Sequence, residues 1–242
     1  MLENILKAFR FLATGQFQRV WNEVHVRLYR LLWAGLWWFL APPRQSGRPK
    51  PSGNFTRETK YPIAFASPDH LAPKGTAVNN STHKKFILFM DDKLHREFGR
   101  QTLRMMDLGC AGGQTVADFM MLQWEAAGLE GSDFSLKHRR ANWARLANRN
   151  LFTCDITKPY QMKLDGQAVK FHLITAWEVL EHIATPDLLQ MFTNIRDHLE
   201  PGGYFIASTT FTNSVHLPYQ SLSTLKHVTK GCLLRRERQY GI

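Results

Sequence analysis

Glu178, Glu181 and His182 fall within five positions of one another, in the segment Phe171-His172-Leu173-Ile174-Thr175-Ala176-Trp177-Glu178-Val179-Leu180-Glu181-His182-Ile183. Read as a strand passing into a helix, the segment sets Glu178 and His182 at i,i+4 and Glu178 and Glu181 at i,i+3, so that all three face one direction. Two carboxylates and an imidazole there could hold a divalent ion such as Mg²⁺, which would organise a hydroxylated substrate and lower a hydroxyl pKa. Without a metal, His182, with Glu181 beside it, suits proton uptake near neutrality. Upstream, Met105-Met106-Asp107-Leu108-Gly109-Cys110-Ala111-Gly112-Gly113 is a short apolar run ending in an acid and a glycine-rich turn, with a helical stretch from Val116 to Trp124. Such an opening lets backbone N–H groups approach a ligand closely, and it serves nucleotides, dinucleotides and adenosyl cofactors alike. About 20 residues further on, Gly128-Leu129-Glu130-Gly131-Ser132-Asp133 offers a carboxylate, Glu130 or Asp133, where an adenosine ribose would present its two hydroxyls.

These residues need a scaffold that gathers them. From residue 101 onward strand and helix patterns alternate, as in a parallel sheet covered on both faces. Leu151-Phe152-Thr153-Cys154-Asp155 ends a third apolar run with another acid. Leu199-Glu200-Pro201-Gly202-Gly203-Tyr204-Phe205-Ile206-Ala207-Ser208-Thr209 is a helix stop, a tight turn and a fifth strand. The expected fold is α/β, a Rossmann-like, doubly wound and mostly parallel sheet.

The ordered series resembles the class I S-adenosylmethionine-dependent methyltransferases over roughly residues 100 to 212, with the Glu178 to His182 segment similar to the metal-assisted O-methyltransferases of ubiquinone biosynthesis and the small-RNA 3′-end methyltransferases. The resemblance implies S-adenosyl-L-methionine as cofactor. It implies Asp107 ordering the loop, Gly109, Cys110, Ala111, Gly112 and Gly113 lying against the cofactor, and Glu130 as the ribose acid, with Gly131 and Ser132 following it. Asp133 then begins the next helix as an N-cap. Asp155 and Ile156 are implied at the adenine, Asp155 alternatively capping Ile156-Thr157. Trp177 and Glu178 line the pocket, and His216 is a further candidate metal ligand. Three departures stand out. Ala111 occupies the middle glycine of the family's Asp-x-Gly-x-Gly-x-Gly pattern, and His172 stands where the family has Asp. After Thr209 no convincing pair of strands follows, so three readings stay open: a minimal sheet without its last two strands, a fragment, or a last segment that contributes differently.

The whole chain carries a formal charge of +11, unevenly distributed. Residues 1–60 hold ten Lys/Arg against three Asp/Glu and residues 226–242 five against one, which leaves sixteen against sixteen between. A neutral body argues against nucleic acid gripped across the active face. Cys110, Cys154 and Cys232 show no metal-type spacing and read as buried thiols of a reducing, cytoplasmic compartment. Residues 1–41 read as an amphipathic helical extension whose run from Leu31 to Ala41 holds Trp33, Trp37 and Trp38 between flanking arginines. Eleven residues as helix reach only about 16 Å, too short for a hydrocarbon core of about 30 Å. The segment suits a membrane interface, or packing on the catalytic domain or a second subunit. Residues 42–53 read as a linker, 54–100 as a cap segment that is irregular at first and helical from about Thr82 to Phe98, 101–212 as the cofactor-binding domain and 213–242 as a short basic tail. Asp69, His70, Asn79 and Asn80 are the polar candidates of the cap.

The function expected is methyl transfer to oxygen or nitrogen of a small-molecule, glycan or lipid-linked acceptor, by a cytoplasmic protein with peripheral membrane contact. Two alternatives stay open. One is an NAD(P)-dependent oxidoreductase, which shares the glycine turn and ribose acid; the other is a non-catalytic, membrane-associated protein that keeps the cofactor fold.

Overall fold

Met105 and Met106 are neighbours in sequence and both are fully buried. Successive residues of a strand point to opposite faces, so this strand is covered on both sides. It is β2 (Arg104–Leu108) of a six-stranded sheet in the order β4-β3-β2-β7-β8-β9, with β3 (Glu125–Glu130), β4 (Leu151–Thr153), β7 (Phe171–Trp177), β8 (Leu199–Ser208) and β9 (Cys232–Leu234). Every pairing in it is parallel. The computed structural model describes residues 53–67, 70–71 and 82–208 and the backbone of 232–234. The chain divides into Met1–Gly47 and Arg48–Ile242, and the description concerns the second. Residues 1–41, most of the 42–53 segment, Asp69, Asn79, Asn80 and His216 lie outside it.

The helices are α1 (Lys84–Phe98), α2 (Gln114–Met121), the short α3 (Phe134–Lys137) and α4 (Trp143–Leu146), and α5 (Thr185–His198). α1 is tied to the following layer by buried polar contacts. The Trp124 indole N–H donates to Asp91 Oδ1 at 2.8 Å, and Thr82 and Lys84 both reach the buried Asp118 carboxylate. Pro186 near the start of α5 suits a first turn whose N–H groups have no helical partner. Among the described residues, no helix is long and apolar enough to cross a membrane.

Three expectations are corrected. The start of the cap segment is not irregular: β1 (Phe55–Thr59) pairs antiparallel with β5 (Tyr160–Leu164), and β5 with β6 (Gln167–Ala168), in a separate three-stranded sheet. The turn between β5 and β6 is Asp165-Gly166, both with positive φ, 51° and 82°, which is a hairpin signal that the alternation Tyr160-Gln161-Met162-Lys163-Leu164 should have disclosed. Second, one short strand, β9, does follow β8 and extends the sheet in parallel. Third, the Pro201-Gly202-Gly203 turn lies inside β8 as an irregularity: Phe171 is opposite Leu199, but Leu173 is already opposite Tyr204.

Candidate active site

Because β2, β3, β4 and β7 are parallel, their C-terminal ends lie along one edge, and strand order reverses between β2 and β7. That edge is where open α/β sheets bind ligands. Asp107 and Glu130 lie at those ends within their strands, and Asp155 and the Trp177–His182 turn come at or just after theirs.

The loop after β2 is held from beneath by Asp107. Its carboxylate is buried and accepts from Thr175 Oγ1 of β7 at 2.6 Å. Burial pushes the Asp107 carboxyl up to about 7, against the lowering effect of bonds from Thr175 and Thr115, and the nearby Glu130 charge adds to the rise. Gly109 turns with φ 67°, and a Cβ there would stand 2.5 Å from Val179 Cγ2. The glycine is what lets the 178–182 turn close onto the loop. Ala111 also has positive φ, 46°, a backbone conformation that glycine adopts with least strain. Gly113, in the left-handed region, begins α2. Cys110 is buried, and burial together with the Glu130 and Asp107 charges raises its thiol well above the ordinary value, so it is a protonated packing residue.

Glu130 closes on the same loop. Its Oε2 accepts the Ala111 N–H at 2.7 Å and Oε1 the Ser132 N–H at 3.4 Å. Burial raises its carboxyl, countered by the N–H groups of Ala111, Ser132 and Gly131 and by the Arg140 charge. The resemblance implies Glu130 rather than Asp133 as the ribose acid, and the two are differently placed: Asp133 pairs with Lys137 at 2.8 Å. Asp133 makes no side-chain cap bond. Asp133 thus holds the N-cap position as expected, but it is Ser132 Oγ that accepts the Phe134 N–H, at 3.1 Å. Ser132 Oγ also donates to His70 O at 2.7 Å, and the Ala64 N–H reaches Gly131 O at 2.9 Å. The cap segment therefore lies against the end of β3. A recess of about 380 Å³ opens beside it, lined among others by Ile63, Phe65, His70, Phe134 and His138.

Asp155 follows β4, with its N–H donating to Tyr61 O at 2.9 Å. Its Oδ1 accepts from Thr157 N at 2.9 Å and Thr157 Oγ1 at 2.6 Å, which is the capping alternative for this residue. Ile156 is buried, and its carbonyl accepts from Asn194 Nδ2.

After β7 the expected α-helix does not form. Glu178 has φ 53°, and only Leu180–His182 wind, as a 3₁₀ turn. Glu178, Glu181 and His182 thus do not share a helical face. The Glu178 carboxylate instead accepts from Ser208 Oγ of β8 at 2.9 Å. Among the described residues, no three His, Cys, Asp or Glu side chains are grouped so as to hold a metal ion. His182 is exposed, and Trp177 meets Phe86 of α1 edge to face at 5.0 Å. Thr175, which fixes Asp107, was missed in the sequence because a threonine inside an apolar strand carries no distinguishing pattern.

Residues 82–238 match the family described as a methyltransferase domain. A ubiquinone biosynthesis O-methyltransferase of Cereibacter sphaeroides is 26% identical over 133 residues, 52% of this chain and 51% of that protein. Another from the same species is 29% identical over 111 residues, 46% and 42% of the two chains. Among solved structures, the amino pentose methyltransferase CalS10 of Micromonospora echinaspora, bound to S-adenosylmethionine, superposes with a TM-score of 0.42 and 19% identity, covering 55% of this chain and 53% of that one. The chain spans about half the length of the curated relatives it matches. With more than half of its residues inside the family match, the protein belongs to the methyltransferase domain family.

Proposed function

We propose that the protein binds S-adenosylmethionine and transfers its methyl group to oxygen or nitrogen of a small-molecule, glycan or lipid-linked acceptor. The observation that carries this reading is the meeting of the Glu130 carboxylate with the Ala111 N–H at the C-terminal edge of a parallel sheet. The residues present fit an adenosyl cofactor: a buried carboxylate suits two vicinal ribose hydroxyls, and the glycine turn exposes backbone donors. When bound, the cofactor supplies a methyl group already activated by a sulfonium.

The chain's own residues then have to orient and to move a proton. Asp107 fixes the loop through Thr175, Glu130 takes the ribose, and the second oxygen of Asp155 is the acceptor for an adenine amino group. His182, exposed at the turn after β7, takes the acceptor proton, with Glu181 beside it, and Trp177 walls the pocket. Positioning accounts for most of the acceleration in such a displacement. Family membership supports this reading over the dinucleotide oxidoreductase. Isothermal titration of the full chain against S-adenosylhomocysteine and against NAD tests it: micromolar binding of the first and none of the second is expected, and preference for NAD would overturn it. A labelled methyl-donor assay on fractionated extract then identifies the acceptor. His182→Ala should reduce kcat in that assay by about 10² or more, as removal of a general base does.

The tryptophan-rich, arginine-flanked run from Leu31 to Ala41 supports a second proposal, peripheral contact with a membrane interface.

A further inference from the structure

Arg140 lies in the connection between β3 and β4, where Arg139 and Ala141 both take positive φ, 46° and 51°. Its backbone is pinned on both sides: its N–H donates to Ser135 O, and its carbonyl accepts from Trp143 N, each at 2.9 Å. The next residues attach to the glycine loop, Asn142 N–H to Gly112 O at 3.1 Å and the Trp143 indole N–H to Ala111 O at 2.7 Å. Arg140 is thus fixed to the same loop that Glu130 contacts through Ala111. Its guanidinium carbon sits 5.8 Å from the centre of the Phe134 ring, and its charge and that of Glu130 attract. Yet Nε and Nη2 are buried and have no acceptor in the protein, and Ser135 Oγ, on the residue that receives the Arg140 N–H, is a third such atom. A guanidinium is permanently charged and only donates. Arg140 as a whole is only partly buried, but two donors shut off from water without acceptors are costly, and a ligand that opens onto them and supplies acceptors recovers that cost.

We infer that Arg140 is a second adenosine-binding residue, donating through Nε and Nη2 to ribose or purine ring acceptors while Glu130 receives the ribose hydroxyls. This rests on the methyltransferase reading and adds to it a residue that the glycine loop and the strand-end acids do not include. The division of labour is chemical. Glu130 can only accept from the nucleoside and Arg140 can only donate to it, so together they read both hydrogen-bonding polarities of the same group.

The test titrates S-adenosylhomocysteine and free adenosine into the full-length wild type, Arg140→Met and Arg140→Lys, with thermal unfolding of each protein recorded alongside. Arg140→Met should weaken both ligands by the same factor, about tenfold or more, because the contact is to the moiety they share. Arg140→Lys keeps the charge but loses the planar fork and should remain at least threefold weaker than wild type. If Arg140→Met does not fold, the lysine variant and its equal loss for the two ligands carry the decision. Unchanged affinity in a folded variant, or a loss confined to S-adenosylhomocysteine, overturns the inference and leaves the function standing. A wild type that binds neither ligand overturns both.

Discussion

In the proposed role Glu130 has to be buried enough to be rigid and ionised enough to accept ribose hydroxyls, and those demands conflict. Burial favours its neutral form, while backbone donors from Ala111, Ser132 and Gly131 favour the charged one. Hydrogen bonds to a charged group contribute about 1.5–3 kcal/mol each. Glu130→Ala should therefore weaken S-adenosylhomocysteine by about 10- to 100-fold in calorimetry, and unchanged affinity would remove Glu130 from the site. Asp107 is shifted in the same sense as Glu130. Its carboxyl is raised from 3.8 to about 7 in the fold, so the folded protein binds the extra proton between those values. Stability then falls as pH rises from about 4 to 7 and levels off above. Asp107→Asn mimics the neutral acid, so its melting temperature relative to wild type should climb across that window, whereas a flat difference would mean that Asp107 is ionised throughout. At the residue scale the sequence alone offered Glu130 or Asp133 after the second strand, and only the family resemblance pointed to Glu130. Arg140 was not legible, because its backbone is set by positive φ at Arg139 and Ala141, which no side-chain pattern announces.

At the level of elements, parallel strands were readable because burial on both faces leaves continuous apolar runs bounded by turns. The 178–182 segment misled because i,i+3 and i,i+4 spacing is evidence only if a helix forms. Here Val179 has to close on Gly109, and Glu178 takes a left-handed conformation to begin that closure. Gly109→Ala places a Cβ against Val179 at an unfavourable φ and should cost about 2–4 kcal/mol in urea unfolding. Val179→Ala in the same chain should recover part of this by removing the colliding methyl, and strict additivity would show that strain at Gly109 alone is responsible. The start of β7 behaves in the contrary pH sense to Asp107. His172 Nδ1 accepts the Arg104 N–H at 3.0 Å, so the bond needs a neutral ring. Burial and the Arg104 charge lower its pKa from 6.5 to about 4. The unfolded chain takes up a proton first as pH falls, so this contribution is complete above about 6.5 and is lost towards 4. Unfolding free energy should fall by about 1–3 kcal/mol over that range, and by less in His172→Asn, whose carbonyl still accepts.

For the molecule as a whole, charge and hydropathy are segregated in a way the catalytic fold does not require. The body between residues 61 and 225 balances sixteen basic against sixteen acidic side chains, while the first 60 residues hold ten against three together with the run Leu31-Leu32-Trp33-Ala34-Gly35-Leu36-Trp37-Trp38-Phe39-Leu40-Ala41. A basic, aromatic segment gains from an anionic surface twice, by charge attraction and by burying indole rings at the headgroup level. Only the first of these is screened by salt. Full-length protein should therefore float with vesicles containing anionic phosphatidylserine, and raising the salt should weaken the binding without abolishing it. Protein beginning at Asn54 should remain with the soluble fraction. Flotation of both proteins alike would place the contact outside the first 53 residues, and flotation of neither would reassign the tryptophans to a protein interface.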